Sequence, residues 1–343
     1  MKQTLRSCLA LAILVTLLAL PASEACAAAL CARIDAVIGV KGPLRFRAAC
    51  KATEQQLGSF DGTTLQFTAI NVQVVSGSGA TDGALNGKGN LIVGYNEDVG
   101  GDVKTGSHNL VVGPGHTYTS FGGLVAGFNN TILSTSASVP GGSENRATNV
   151  NASVTGGFRN SASGGNASVT GGNDNVASGV LSSVSGGGEN EATNAGSSVT
   201  GGFGNTASGL NASISGGQLN DATGADSSVS GGSRNIARGD AASVSGGLNN
   251  VAGPGPGPDP SFICPFPGCP LTQSVAGGES NWASGGWATV AGGIQNKASG
   301  YDAAVAGGGA NTASGDHASV SGGLGRSASG LDDWVAGGLF QDF

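Results

Sequence analysis

A single valine or isoleucine recurs every fifteen residues over most of the chain, with small or polar residues between. It stands at Val139, Val154, Val169, Val184, Val199, Ile214, Val229 and Val244, and then at Val275, Val290, Val305, Val320 and Val335. Alternation of apolar and polar residues around each one predicts a short strand with one buried face. A period of fifteen is too short for helical-pair repeats or propeller blades. It predicts one coil of a parallel β-solenoid, with two short strands and two turns.

The residues around each repeat valine indicate which positions face the core. We number a coil from this residue, so that Ala152 is position −2 and Val154 is position 0. These two share one strand face and are predicted to point inward, whereas Ser153 and Thr155, at −1 and +1, are predicted to point outward. Two glycines at +2 and +3 predict the first turn, because glycine accepts positive φ without steric cost.

A second turn is predicted at position +10, where most coils carry glycine, as at Gly164. Two coils carry Asn149 or Asn194 there instead, and asparagine is the residue that next best tolerates positive φ. We therefore predict a left-handed backbone at this position. The variable positions +4 and +5, which follow the glycine pair, are predicted to form an exposed edge.

Asparagine occupies position +6 in eleven of the thirteen coils, and alanine occupies position +8 on the same predicted inward face. The asparagines are Asn145, Asn160, Asn175, Asn190, Asn205, Asn220, Asn235, Asn250, Asn281, Asn296 and Asn311. One interpretation is an array that binds a ligand. The interpretation that we favour is a structural ladder, in which stacked amides bond to each other and to the turn backbone.

Three earlier segments are more aliphatic variants of the coil. They are residues 90–96, 109–116 and 123–130. The solenoid is therefore predicted over residues 87–343, with a Pro-rich loop at 254–273 that leaves between coils because proline cannot continue a strand. Residues 61–86 are predicted as a connecting strand region, and residues 28–60 as a small β module.

Residues 1–27 have the layout of a secretory signal peptide. Lys2 and Arg6 precede an apolar run that is too short to span a bilayer comfortably, and small residues follow up to Ala27. Cleavage after Ala27 is predicted, with lipidation at Cys26 as an alternative. No later segment is apolar enough to cross a membrane. We expect an exported protein, secreted or on a bacterial cell surface, with the periplasm as an alternative.

Four cysteines remain once the signal peptide is removed: Cys31, Cys50, Cys264 and Cys269. An even number in an exported chain predicts disulfides. Three pairings are possible, and the local one, Cys31–Cys50 with Cys264–Cys269, closes one short loop in each region. The spacing of Cys264 and Cys269 is also compatible with metal binding, but no second ligand pair accompanies it. We expect no metal and no cofactor.

The composition is unusual, with 64 glycines among 343 residues and only 11% charged residues. Such values are typical of disordered chains, but a disordered chain has no reason to keep a fifteen-residue register. The net charge of −7 argues against sequence-independent binding of nucleic acid, which needs clustered Lys and Arg. Because each coil buries only about one valine and two alanines, we expect the coils to pack sideways against other chains.

Two phrases resemble a known family. SVAGGESNWASG (274–285) and AVAGGGANTASG (304–315) are similar to the head repeats of trimeric autotransporter adhesins, the YadA-like heads. The resemblance covers roughly residues 87–343 and implies a left-handed parallel β-roll, a homotrimer and a role in adhesion. The chain departs from the family in its Gly-Gly pair, its regular asparagine and its period of fifteen, so the collagen binding of some heads is not carried over.

The stalk and membrane anchor of that family are not recognisable in this sequence. A secreted or periplasmic head-like protein and a truncated autotransporter therefore remain alternatives. Arg238, Gly239 and Asp240 form the integrin-binding tripeptide on a predicted turn. Because the fold itself demands glycine at that position, we interpret the tripeptide as a coincidence, with a binding turn as the alternative.

No catalytic set is recognisable, so we expect a protein that is not an enzyme. Histidines occur at the scattered positions His108, His116 and His317. Tyr95, Glu97 and Asp98 lie near His116 in the early coils, and we interpret this group as a turn cluster.

Two classes of function fit these patterns. The first is an adhesion or structural module, a rod that presents variable edges to a partner. The second is a protein that binds ice or crystal surfaces through its outward hydroxyl file. That file contains Ser153/Thr155, Ser168/Thr170, Ser183/Ser185 and Ser198/Thr200. It lapses to alanine at Ala276, Ala291, Ala306 and Ala336, and for that reason we favour adhesion.

Overall fold

The computed structural model describes residues 28–32, 34–35, 39–40, 45–47, 49–51, 55–61, 63–254 and 272–336. Between residues 28 and 47, and at residue 55, only the backbone is described. The chain divides between Gln73 and Val74 into two compact units. The predicted signal peptide lies outside the described residues, as do Cys264 and Cys269.

The described residues of the first unit form six short strands. They are β1 (Ala28–Ala32), β2 (Ile34–Asp35), β3 (Gly39–Val40), β4 (Arg45–Arg47), β5 (Gln55–Phe60) and β6 (Leu65–Phe67). Antiparallel pairing gives a four-stranded sheet in the order β4-β1-β5-β6, and β2 pairs with β3. The side chain of Cys31 lies outside the described part, so its bond to Cys50 stays a prediction. Beyond β6, residues 68–75 are exposed and have no regular structure.

The second unit is a parallel β-solenoid, which confirms the predicted fold class; its handedness stays a prediction. Position 0 of each coil lies in a sixteen-stranded first sheet. Its strands are β7 (Leu91–Val93), β8 (Leu110–Val112), β10 (Leu124–Ala126), β12 (Ser138–Val139), β14 (Ser153–Val154), β16 (Ser168–Val169), β18 (Ser183–Val184), β20 (Ser198–Val199), β22 (Ser213–Ile214), β24 (Ser228–Val229), β26 (Ser243–Val244), β28 (Ser274–Val275), β30 (Thr289–Val290), β32 (Ala304–Val305), β34 (Ser319–Val320) and β36 (Trp334–Val335).

A second sheet has fourteen parallel strands, which lie at positions +7 and +8 in the fifteen-residue coils. Its strands are β9 (Thr117–Tyr118), β11 (Thr131–Ile132), β13 (Arg146–Ala147), β15 (Ser161–Ala162), β17 (Val176–Ala177), β19 (Glu191–Ala192), β21 (Thr206–Ala207), β23 (Asp221–Ala222), β25 (Ile236–Ala237), β27 (Val251–Ala252), β29 (Trp282–Ala283), β31 (Lys297–Ala298), β33 (Thr312–Ala313) and β35 (Ser327–Ala328). Single parallel bridges at position +4, such as Ser143 to Phe158, add a third line of contact between coils.

The core is a stack of similar layers, one for each coil. Strands of successive coils pair in register, so that Val154 lies opposite Val169. Within one coil Ala152, Val154, Asn160 and Ala162 are fully buried, as their predicted inward positions require. Because the fifteen-residue coils bury mostly small side chains, we expect backbone hydrogen bonds between coils and the asparagine amides to contribute much of the stability.

The turns differ from the prediction at position +10. Left-handed backbone occurs at +3, +5 and +12, as at Gly157 (φ 86°), Arg159 (φ 54°) and Asn166 (φ 57°), and not at Asn149 or Asn194. The prediction of positive φ at +10 was therefore wrong.

Where glycine stands at +10, it is required for space instead. A Cβ added to Gly164 would lie 1.9 Å from the carbonyl oxygen of Gly179 in the next coil. Asn149 stands at the same position and donates from its side-chain amide to the carbonyl of Ser163 (3.1 Å), a residue of the next coil. Asn194 donates in the same way to the carbonyl of Ser208 (3.0 Å).

The Pro-rich interruption leaves both sheets intact. Val244 pairs directly with Val275 in the first sheet, and Ala252 pairs with Ala283 in the second. The described part of the solenoid thus stops at Pro254, at position +10, and resumes at Thr272, just before Gln273 at position −2.

The part of the chain that the structure describes is built from strands and turns. It includes no helix with the length and hydropathy needed to cross a bilayer.

Candidate functional site

The asparagines at +6 form a continuous hydrogen-bonded ladder through the core. The backbone N–H of Asn175 donates to the side-chain Oδ1 of Asn160 in the preceding coil (3.0 Å). The Nδ2 of Asn160 donates to the carbonyl of Gly156 in its own coil (3.0 Å) and of Gly172 in the next (2.9 Å). Acceptor and donor are both used, so a buried rung has no free group to offer a ligand.

The ladder extends beyond the repeat that the sequence revealed. His116 is fully buried, and its Nδ1 accepts the backbone N–H of Asn130 (3.2 Å). Its Nε2 lies 3.0 Å from the carbonyl of Val112, four residues earlier. Asn160 makes the same two contacts, with an N–H of the next coil and with the carbonyl four residues earlier. His116 is therefore a rung in which imidazole replaces the amide, and the asparagine repeat did not reveal it because the residue type differs.

The other end of the ladder is closed by an exposed arginine. The backbone N–H of Arg326 donates to Oδ1 of Asn311 (2.9 Å), as an asparagine at this position would. The ladder requires only a backbone N–H from its last member, which explains why the side chain at +6 is free to change there.

The outer face of the first sheet carries the predicted hydroxyl file. Side chains at −1 are mostly half-buried, and those at +1 are exposed. The exposed hydroxyls of consecutive coils are Thr155, Thr170, Ser185, Thr200, Ser215, Ser230 and Ser245. Because the strands pair in register, these hydroxyls repeat about every 4.8 Å along the solenoid.

The first-turn edge consists of positions +4 and +5, and its side chains vary from coil to coil. The Nε of Arg159 lies 3.0 Å from Oε2 of Glu144, and the guanidinium stacks 4.5 Å from the ring centre of Phe158. Elsewhere the edge exposes Phe203 and Ile294. The constant core thus supports a variable outer edge, as predicted for these two positions.

The second-turn edge consists of positions +10 to +12, where two kinds of exposed group occur. Before the interruption it carries exposed aliphatic side chains, among them Leu181 (65% exposed). After it, Trp287 and Tyr301 stack with ring centres 5.3 Å apart. His317 lies 6.0 Å from Tyr301, and its Nδ1 is 3.1 Å from Oδ1 of Asp332.

Arg238, Gly239 and Asp240 lie within a coil and do not project as a loop. Gly239 is buried, Arg238 donates from Nη1 to the carbonyl of Pro254 (3.2 Å), and Asp240 accepts the backbone N–H of Ala225 (3.2 Å). Both charged side chains are therefore engaged within the solenoid.

The group formed by Tyr95, Glu97, Asp98 and His116 does not converge. Asp98 accepts backbone N–H groups from its own loop, at Gly100, Gly101 and Asp102. Hydrogen bonds from Gly100 and Asp102 hold the pKa of Asp98 below its usual value. His116 is buried in the ladder, whereas Tyr95 is 94% exposed.

The remaining histidine, His108, is occupied by local backbone contacts. Its Nε2 accepts the backbone N–H of Ser76 (3.0 Å), and its Nδ1 lies 3.1 Å from the carbonyl of Thr81. Within the described residues, no three His, Cys, Asp or Glu side chains are grouped in a way that would hold a metal ion.

Comparison with known proteins adds no relative. No protein-family model matches the sequence, and no curated protein matches it. The likeness to the YadA-like heads therefore rests on the residues quoted for it.

Proposed function

We propose that this protein is an exported bacterial adhesion or structural protein, without enzymatic activity, in which a β-solenoid rod presents variable turn edges to a partner. One observation carries the proposal: the buried residues at positions 0, +6 and +8 are nearly constant from coil to coil, whereas positions +4 and +5 change from Phe158-Arg159 to Asn173-Asp174 to Gly188-Glu189. A scaffold that fixes its core and varies its edge is suited to recognition by contact.

A homotrimer is part of this proposal. It is supported by the thin core and by the similarity of the repeats to YadA-like heads. Light scattering after size exclusion of the mature chain tests it directly. A mass three times that of one chain supports the trimeric head, and a folded monomer rejects it while leaving the adhesion role open.

Adhesion itself is tested by binding the purified protein to cultured epithelial cells and to wells coated with fibronectin or laminin. Retention that is lost when Phe158, Arg159 and Phe203 are replaced by serine, glycine and serine would support the first-turn edge as the contact. Equal retention of an albumin control, or none on any surface, contradicts the proposal.

A second candidate is binding to ice or another crystal surface through the +1 hydroxyls. It is supported by the registered, exposed row from Thr155 to Ser245. Thermal hysteresis in a freezing assay distinguishes the two. A freezing gap that disappears on replacing Thr155, Thr170 and Thr200 by lysine would favour the surface binder, and no gap at millimolar protein rejects it.

A further inference from the structure

The second-turn edge carries a ridge of alternating large and small residues before the Pro-rich interruption. At position +11 the six consecutive residues are Val150, Gly165, Val180, Ala195, Leu210 and Ala225. The three large side chains are 45%, 53% and 47% exposed, and a Cβ added to Gly165 would meet no atom within 4 Å. The row is therefore a series of knobs about 10 Å apart with open spaces between them.

The ridge is held at fixed spacing by the backbone. The N–H of Leu181 donates to the carbonyl of Gly165 (2.9 Å), and the N–H of Gly196 donates to that of Val180 (2.9 Å). These hydrogen bonds fix the distance between successive coils along the solenoid. A partner meets a preformed surface, which lowers the entropy lost on binding.

Leu181, at position +12, has a backbone conformation and a solvent exposure that are both unfavourable for leucine. Its φ is 60° and its side chain is 65% exposed, whereas Asn166 and Asn211 occupy the same position in nearby coils. A leucine is disfavoured in the left-handed region, and its exposure to water adds a second cost. A contact that buries this side chain would account for both.

We propose that this ridge pairs with the same ridge of a second copy of the chain, in antiparallel orientation. The inference deepens the proposed function and rests on it, because it names self-association as one mode of adhesion. A two-fold axis that crosses the edge between the coils of Val180 and Ala195 brings every large residue opposite a small one. The facing pairs are Val150 with Ala225, Gly165 with Leu210, Val180 with Ala195, Leu181 with Gly196, Asn166 with Asn211, and Asn151 with Asp226.

Parallel pairing in register fits less well, because it would place Val180 against Val180 and Gly165 against Gly165, which leaves gaps. In the antiparallel pair the only acidic residue of these two rows, Asp226, faces the amide of Asn151 and no other acid. The contact therefore has an apolar centre and a polar end, like known protein interfaces.

The size of the contact sets its strength. Six coils span roughly 29 Å, and with a width of about 10 Å the ridge covers on the order of 300 Å² per copy, against about 800 Å² in a stable interface. One pair is therefore weak, and many pairs between two coated surfaces act together. Because each chain carries a net charge of −7, added salt should strengthen the pairing by screening repulsion.

The first experiment uses beads densely coated with the full mature chain. The ridge variant Val180→Ser/Leu181→Asn is compared with Leu219→Asn/Leu248→Ser, which makes the same kind of change on the first-turn edge. We expect beads with the wild type and the control to clump, more strongly at higher salt, and clumping to fall at least tenfold in the ridge variant. Failure of wild-type beads to clump, or clumping that survives the ridge change, overturns the proposal.

The second experiment tests the orientation. Chains with Val150→Cys and chains with Ala225→Cys, under different tags, are treated with a short bis-maleimide on mixed beads. The two residues face each other across the antiparallel pair, but two copies of either one lie about 24 Å apart. We expect cross-links only in the mixture. Cross-links between Val150→Cys chains alone would indicate parallel pairing and contradict the proposal.

The two proposals fail in different ways. If the ridge variant still binds cells or coated wells while wild-type beads do not clump, the ridge proposal is wrong and adhesion to other ligands stands. Far-UV circular dichroism of each variant shows whether the solenoid is intact.

Discussion

Each asparagine rung hydrogen-bonds to backbone groups of its own coil and of the next coil. The Oδ1 of Asn205 accepts the N–H of Asn220 (3.0 Å), and its Nδ2 donates to the carbonyls of Gly201 and Gly217 (3.0 Å each). The side-chain amide at this position therefore completes the hydrogen bonding of the main chain. Its removal would leave polar backbone groups without a partner and would destabilise the fold.

We expect Asn205→Ala to lower the free energy of unfolding by about 3 kcal/mol, since it leaves the buried N–H of Asn220 and the half-buried carbonyl of Gly201 without partners. The melting temperature should fall by roughly 5–10 °C. Asn173→Ala, an exposed asparagine at +4, serves as the control and should change stability by less than about 0.5 kcal/mol. Equal effects of the two changes in thermal unfolding would falsify the ladder as a source of stability.

Substitutions at His116 test whether an imidazole and an amide can fill the same position in the ladder. Asparagine offers the same donor to the carbonyl of Val112 and the same acceptor to the N–H of Asn130, so His116→Asn should stay within about 1 kcal/mol of the wild type. His116→Ala removes both contacts and should cost about 2–4 kcal/mol. If the two variants melt at the same temperature, the imidazole is not acting as a rung.

Gln273, the first inward-facing residue after the Pro-rich segment, fits poorly in the core of its coil. It occupies inward position −2, where Ala242 and Ala288 stand in the neighbouring coils, and its buried Oε1 and Nε2 have no hydrogen-bond partner among the described residues. Gln273→Ala should therefore raise the free energy of unfolding by about 1 kcal/mol or more. Ala288→Gln, which creates the same problem in an uninterrupted coil, should lower it. Chemical denaturation measures both, and a loss of stability in Gln273→Ala would contradict this account.

At the scale of the strand, periodicity was enough to predict most of the coil. The spacing of Val154, Asn160 and Ala162 assigned the inward faces because side-chain direction follows strand geometry alone. The left-handed backbone at +5 and +12, as at Arg159 and Asn166, was not predicted. The residue type at these positions varies from coil to coil, and the backbone dihedral angles are set by the neighbouring coils. Likewise the need for glycine at Gly164 arises from a carbonyl fifteen residues away.

Asp221 is a charged side chain on the outer face of the second sheet, half-buried in β23. Burial raises the pKa of its carboxyl, and the nearby Arg238 opposes this only in part. Because the pKa is raised in the folded state, folding disfavours the ionised carboxylate and the protein is less stable when Asp221 is ionised. This loss of stability is complete above the folded-state pKa and disappears as pH falls below the ordinary value of 3.8.

We therefore expect Asp221→Asn to raise the melting temperature at pH 7 and to have a smaller effect at pH 3. Melting curves across this range provide the test. A gain that is constant with pH would show that the substitution acts through packing, and a loss at pH 7 would show that the pairing with Arg238 outweighs burial.

At the scale of the whole molecule, the free energy of unfolding of the solenoid should be the sum of a contribution from each coil and a contribution from each contact between neighbouring coils. Each coil contacts only the coils before and after it, and the ladder passes through all of them. The length of the rod is therefore adjustable in whole coils, and only in whole coils, because half a coil cannot return the chain to the first sheet.

Deletion of residues 291–305 removes one complete coil and joins Val290 to Ala306 in the original register. We expect this fifteen-residue deletion to fold, with a melting temperature within a few degrees (~5 °C) of the wild type, since Asn281 then meets Asn311 as it met Asn296. Deletion of residues 291–298 removes only eight residues, so the next repeat valine arrives after seven and the coil cannot close. That variant should lose the cooperative transition of the coils that follow, and a normal melting curve from it would show that the stack does not depend on register.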